Sequence, residues 1–182
     1  MKIYLIRHGQ TTGDIEGLYG GIYNDHLSAK GRLQAEEMAK KLVGKGIEII
    51  YSSPYNRAKD TAEILAKKLN IPVRIVDDLR ERDVYSQLSG KLKNDYPKEV
   101  TLLKDYHYTV HGGEEYEGFK QRILAVIDEI VKEKYDTVAI ISHGGPIRCF
   151  YREILNSGNE IEPRDCEVLE IKYRNNRFRL IC

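Results

Sequence analysis

The chain is poor in the features that mark metal, redox, membrane or nucleic-acid proteins. Its 182 residues include three cysteines, Cys149, Cys166 and Cys182. Their spacing matches neither a zinc motif nor a CxxC pair, so free thiols in a reducing compartment are expected. No apolar run approaches the ~20 residues of a membrane span, and the N-terminal stretch is unlike a cleavable secretory signal. A cytoplasmic location without membrane contact is therefore expected. With 29 Lys and Arg against 28 Asp and Glu, the formal net charge is +1. That balance lacks the basic excess of a nucleic-acid partner. No Pro/Gly/Ser-rich linker, repeat or low-complexity segment divides the chain, which reads as a single domain over 1–182.

What is present is an alternation of short apolar runs and longer amphipathic ones. Ile3 to Ile6 reads as a buried strand, followed by a helix over 28–43 with Ser28 as N-cap. Its apolar stripe is Ala35, Met38, Ala39, Leu42 and Val43. The runs IEIIYSS, VRIV and DTVAIIS read as further strands. Between them lie a helix striped with Ala58, Ala62, Leu65, Ala66 and Leu69 and another near 114–133. Gly144-Gly145-Pro146 opens a last helix, and CEVLEIKY with RFRLI reads as a closing hairpin. Strands alternating with helices predict an α/β fold, a three-layer α/β/α arrangement around a mostly parallel sheet. The stretch 82–113, rich in tyrosine and lysine with a helical candidate around 95–105, reads as a small cap or lid.

Three of these strands end in polar clusters: Arg7-His8-Gly9, Ser52-Ser53-Pro54 followed by Arg57, and Ser142-His143-Gly144-Gly145. In open α/β sheets ligands bind beyond the carboxyl ends of the strands, so parallel strands would bring these clusters to one crevice, with Glu81 within reach. Two guanidiniums match the oxygens of a phosphoryl group, and the helix start at Gly144 and Gly145 adds backbone N–H donors. A neutral imidazole beside arginines is a nucleophile, and a carboxylic acid can protonate the leaving alkoxide. Together these make a covalent phosphoryl-transfer site that needs no metal and no cofactor.

In order and spacing, LIRHGQT, YSSPYNRAKDTAEIL, LRER, HGGEEYEGFKQRI and ISHGGPIR resemble the signature blocks of the histidine phosphatase superfamily, which includes the cofactor-dependent phosphoglycerate mutases. The resemblance covers essentially the whole chain and implies a phosphoglycerate mutase-like fold. It implies His8 as the residue phosphorylated in turnover, Arg7 and Arg57 as phosphate clamps, His143 as a donor to the phosphoryl oxygens and Glu81 as the proton donor. It places Thr11, Asp14, Gly20, Gly21 and Gly144 around the substrate. The chain departs from the family pattern at Asp14, where asparagine is usual, at Tyr19-Gly20-Gly21 in place of Tyr-Gln-Gly, and after Glu81, where the usual glycine and tryptophan are missing.

These features imply a metal-independent phosphomonoesterase acting on a small phosphorylated metabolite, as a monomer or homodimer. The shortness of the chain and its lack of long insertions favour hydrolysis over mutase-type phosphotransfer. A non-catalytic phosphate-binding module is the reading from another class; retention of His8, both arginines and His143 argues against it. The opening LIRHGQTTGDIEGLYGG looks like that of α-ribazole-5′-phosphate phosphatases, which implies α-ribazole 5′-phosphate as one candidate substrate beside broad specificity.

Overall fold

The computed structural model describes residues 1–96, 105–156 and 161–181. Its sheet is built from β1 (Lys2–Arg7), β2 (Ile49–Ser52), β3 (Val73–Ile75), β4 (Thr137–Ser142), β5 (Val168–Arg174) and β6 (Arg177–Leu180). The six strands lie in the order β3-β2-β4-β1-β5-β6. β1, β2, β3 and β4 run parallel, whereas β5 is antiparallel to β1 and β6 to β5. The expected α/β class with a mostly parallel sheet is the fold observed.

The strands are apolar on both faces because helices cover both. Successive side chains of a strand point to opposite sides. Ile3 and Leu5 of β1, with Val138 and Ile140 of β4, therefore pack on α4 (Tyr116–Val131) through Phe119, Ile123, Val126, Ile127 and Ile130. Tyr4 and Ile6, with Ala139 and Ile141, pack the other way. There they meet Met38 and Leu42 of α2 (Ala29–Leu42) and Ala58, Ala62 and Leu65 of α3 (Asn56–Leu69). Each large side chain so buried contributes about 1.5–3 kcal/mol.

The helix over 28–43 starts as its sequence reads: Ser28 Oγ accepts from Gly31 N at 3.0 Å. The helix near 114–133 is shorter, Tyr116–Val131. A five-residue helix, α1 (Thr12–Glu16), was not foreseen, since so short a segment carries no apolar stripe. The hairpin β5–β6 turns at Asn175 and Asn176, with φ of 51° and 57°. Asparagine is one of the few residues that accept this backbone at both central positions of a tight turn. The helical candidate around 95–105 falls largely outside the described residues; just before it, Lys93–Asp95 form one 3-10 turn. The last helix, α5 (Gly144–Cys149), runs into a single π-helical stretch, Phe150–Ile154.

Candidate active site

The register aligns Arg7 of β1 with Ser142 of β4, and Ser52 of β2 with Ile141 of β4. The ends of three parallel strands are thus level at one edge. From β2 the chain leaves toward β3, and from β4 it leaves the opposite way toward β5. That divergence opens a crevice at the carboxyl edge.

His8 follows directly on β1 and is 6% exposed. Its Nδ1 lies 2.8 Å from Gly9 O. A carbonyl oxygen only accepts, so the proton sits on Nδ1 and the lone pair on Nε2. Nε2 in turn accepts from Arg57 Nε at 3.2 Å. The third residue of the RHG triplet is glycine because the loop runs against the start of α2: a Cβ at Gly9 would stand 2.6 Å from Gly31 O.

His143, the N-cap of α5, is fully buried. Its Nδ1 accepts from Arg57 Nε at 3.2 Å, and its Nε2 lies 2.7 Å from Ser53 Oγ. The two imidazoles meet edge to face with centroids 5.0 Å apart. Burial pushes the pKa of both rings well below the usual histidine value, and the nearby Arg57 and Arg7 charges push the same way. Both rings are neutral at pH 7.

Arg57, in the first turn of α3, is locked on three sides. Nη1 donates to Tyr23 O at 2.6 Å and to Asp25 Oδ1 at 3.1 Å, and Nη2 donates to Gly21 O at 2.8 Å. The side chains of Arg57 and Asp25 are each only 4% exposed, so this is a buried ion pair. Asp25 Oδ2 also accepts from Gly13 N at 3.1 Å. Arg7 is half-buried; Nη1 donates to Pro163 O at 2.6 Å, and Nη2 lies 3.6 Å from Asp165 Oδ1. Its Nε is buried without a hydrogen-bond partner among the described residues.

Glu81 reaches the same edge from the loop after β3. Its Oε2 accepts from Gly145 N at 3.1 Å and its Oε1 from Arg82 N at 2.8 Å. One of the N–H groups expected at the start of α5 is therefore taken by this carboxylate. Asp14 is spent on a reciprocal cap of α1: its Oδ2 accepts from Thr11 N at 2.9 Å, while Thr11 Oγ1 accepts from Asp14 N at 3.0 Å. Its carboxylate is thereby anchored on the N-cap residue of α1.

Arg7, His8, Thr11, Asp14, Gly20, Gly21, Arg57, Glu81 and Gly144 all line one pocket of about 270 Å³. His143 is fully buried and is not among the lining residues; its Nδ1 shares Arg57 Nε–H with Nε2 of His8, a residue that does line the pocket. Five further side chains line it: Asp25, Tyr85, Lys93, Arg148 and Glu162. Asp25 sits in a loop without periodicity, 32 residues from its partner, and only the fold joins the two. His107 stacks against Tyr106 and Tyr116, and His26 pairs with Asp60 on the surface. Through Glu81, Tyr85 and Arg148 the pocket continues into a cleft of about 520 Å³ lined by Tyr106, Tyr108, Tyr116 and Arg152.

Among the described residues no three His, Cys, Asp or Glu side chains are grouped as metal ligands, and no helix is long and apolar enough to cross a membrane. Cys149 and Cys166 are free thiols. The arrangement can hold a tetrahedral anion between guanidiniums, with a bare imidazole nitrogen on one side and a carboxyl group on another.

The chain is similar to known phosphatases. The chain is 30% identical over 162 residues to phosphoserine phosphatase 1 of Hydrogenobacter thermophilus, covering 85% of this chain and 76% of that one. It is 28% identical over 152 residues to the adenosylcobalamin/α-ribazole phosphatase of Escherichia coli, covering 80% and 74%. Among solved structures, YhfR of Bacillus stearothermophilus superposes with a TM-score of 0.89 at 25% identity, over 98% of this chain and 94% of that one. The family model of the histidine phosphatase superfamily, branch 1, matches residues 3–182. With a match of that length over a crevice of two histidines and two arginines, the chain belongs to the histidine phosphatase superfamily and is a phosphatase.

Proposed function

We propose that the enzyme hydrolyses a small phosphate monoester through a phosphohistidine at His8. The observation that carries this is the hydrogen bond from His8 Nδ1 to Gly9 O, which leaves Nε2 unprotonated on a residue that lines the pocket. Arg7 and Arg57 hold the phosphoryl oxygens. Nε2 attacks phosphorus and forms the P–N bond while the ester P–O bond breaks. The Glu81 carboxyl gives its proton to the departing oxygen, which leaves as an alcohol. Glu81, now a carboxylate, takes a proton from the water that attacks phosphorus; the P–N bond breaks and His8 returns neutral. His143 stabilises the charge on the phosphoryl group. Every group used is a side chain of this protein, and the steps require no metal.

The alcohol portion of the substrate extends into the tyrosine-lined cleft beside Glu81. The described parts of the stretch read as a cap, 82–96 and 105–113, act as its cap, with Leu88 and Val110 packed on Tyr19 in a small cluster of their own. At about 520 Å³ the cleft is large for a three-carbon alcohol and suits one of nucleoside size. Its size supports α-ribazole 5′-phosphate as the substrate to test first, as does the α-ribazole phosphatase relative.

The test is a hydrolysis panel of α-ribazole 5′-phosphate, phosphoserine, sugar phosphates and 3-phosphoglycerate, with 2,3-bisphosphoglycerate added to the last. The expected result is release of inorganic phosphate, fastest from α-ribazole 5′-phosphate, and acid-labile, alkali-stable label on His8 after brief mixing with labelled substrate. Turnover of p-nitrophenyl phosphate by His8→Ala, or label on a serine or cysteine, would overturn the phosphohistidine mechanism.

A further inference from the structure

Ser53, the residue after β2, is fully buried and takes no part in the steps above. Its Oγ lies 2.7 Å from His143 Nε2 and accepts from Tyr55 N at 3.3 Å. On the far side of the ring Nδ1 lies 3.2 Å from Arg57 Nε. A guanidinium nitrogen has no lone pair to offer and can only donate. Nδ1 is therefore bare, and the ring proton sits on Nε2, donated to Ser53 Oγ. His8 has the opposite tautomer, set by Gly9 O. Two imidazoles thus turn their bare nitrogens toward one N–H group of Arg57. Were Ser53 to donate into Nε2 instead, Nδ1–H and Arg57 Nε–H would be two donors face to face at 3.2 Å.

We infer that Ser53 is a positioning residue acting through His143: by holding Nε2–H it keeps Nδ1 bare, as the acceptor for the proton of an incoming phosphate monoanion. Ser53 in this role presupposes the phosphohistidine reading above. A monoester carries its last proton with a pKa of about 6. As it enters, a phosphoryl oxygen displaces Arg57 Nε–H as the partner of Nδ1. The P–O–H proton passes to Nδ1, the ester becomes a dianion and His143 an imidazolium. Nδ1–H then bonds the phosphoryl oxygen while Nε2–H stays on Ser53, and no bond to phosphorus changes in this step. When inorganic phosphate leaves as a monoanion it takes the proton back.

The groups around His143 make this proton conditional on the ligand. Arg57 touches the ring, and Arg7 and Arg122 act from farther off; all three oppose its protonation. His8 is neutral and in edge contact, Tyr55 lies edge-on with centroids 5.4 Å apart, and the Glu81 carboxyl group is held on Gly145 N. The phosphoryl dianion is the charge that stabilises the imidazolium.

Nitrogen-15 spectra of the full chain labelled in histidine, with His143→Gln to assign the signal, read the tautomer directly. In the phosphate-free enzyme the expected state is Nε2 protonated and Nδ1 bare; with inorganic phosphate, both nitrogens protonated. This measurement needs no Ser53 variant. Ser53→Ala is expected to give mixed tautomers, an altered acid limb of the kcat/KM pH profile, and a kcat lower by about 10- to 100-fold, the value of one hydrogen bond to a charged group. KM for p-nitrophenyl phosphate should change little, and Ser53→Thr, which keeps the hydroxyl, should restore the tautomer. A bare Nε2 in the wild-type protein overturns the inference. So does Ser53→Ala with wild-type kcat and pH profile. If His8→Ala is inactive while Ser53→Ala is unaffected, only the role of Ser53 falls; turnover by His8→Ala rejects the mechanism beneath it.

Discussion

Gly145→Ala is the most selective perturbation of the proposed acid. A methyl group there would lie 2.1 Å from Glu81 Oε1 and 3.1 Å from its Cδ. Ordinary van der Waals contact begins near 3.4 Å, so the carboxyl must retreat by about 1 Å. It would also lose its hold on Gly145 N, now 3.1 Å from Oε2. Misplacing a reacting group by about 1 Å costs on the order of 100-fold. Position 145 is helical, where alanine is intrinsically favoured over glycine by about 1 kcal/mol, so the backbone itself resists nothing. The expected variant is folded, with a melting temperature near wild type. Its kcat should fall about 100-fold on an alkyl phosphate, whose leaving group needs a proton. The loss should be much smaller on p-nitrophenyl phosphate, whose leaving group does not. Steady-state kinetics on the two esters, beside Glu81→Gln, decides the matter. Equal losses on both, or none on the alkyl ester, would refute the assignment of Glu81 as the acid.

The remaining expectations concern the cations and the histidines. Asp25→Ala strands the Arg57 charge in a buried site, which costs about 3–5 kcal/mol. By calorimetry the melting temperature should fall by about 6–20 °C; a fall under about 2 °C would mean the pair is effectively solvated. Asp25→Asn keeps an oxygen toward Arg57 Nη1 while removing a negative charge from the pocket wall. A like charge on the pocket wall works against a bound anion by about 1 kcal/mol or more, so inhibition by inorganic phosphate should tighten at least about fivefold, and an unchanged inhibition constant would count against that placement. His8 and His143 have depressed pKa values, so below pH ~6.5 the unfolded chain binds protons that the native state refuses. Their contribution is complete above pH ~6.5 and lost as pH falls beneath it, by up to about 1.4 kcal/mol per unit for each ring. Urea titrations from pH 7 to 5 should show that slope reduced in His143→Gln; an unchanged slope would contradict the buried neutral state. EDTA should leave the rate unchanged, and loss of activity restored by Mg²⁺ would refute the metal-free steps.

Much of this molecule is legible in its sequence because two simple periodicities rule it. IYLI and VAII are apolar without a break because both faces of β1 and β4 are covered, and the stripes of α2, α3 and α4 recur at helical spacing. Where such strands stop at Arg7-His8 and Ser142-His143, parallel pairing alone carries both pairs to one edge. The cap of α1 leaves a trace that went unread: Thr11 and Asp14 stand three apart, a capping-box spacing with aspartate in place of the usual glutamate. At position 14 the carboxylate serves the backbone of α1, but an asparagine oxygen would accept the same N–H, so the cap does not explain the departure from asparagine.

Asp25 was beyond reach for a different reason. A loop carboxylate has no period, and on general grounds an acid does not belong against a phosphate site. The structure resolves the conflict through Arg57, which fills both hydrogens of Nη1 with Tyr23 O and Asp25 Oδ1 and one of Nη2 with Gly21 O. What remains for an anion is Nε–H, the group on which both imidazoles converge, and one hydrogen of Nη2. Asp25 therefore aims the clamp as well as weakening it: a free guanidinium could offer five hydrogens in any direction, while this one is held to the direction of the nucleophile. Arg7 is held by one hydrogen bond, Nη1 to Pro163 O, and a looser ion pair with Asp165, and its buried Nε has no partner among the described residues. The pocket thus holds one arginine fixed by three hydrogen bonds and one fixed by a single hydrogen bond and a looser ion pair, a division that a sequence naming two arginines does not reveal.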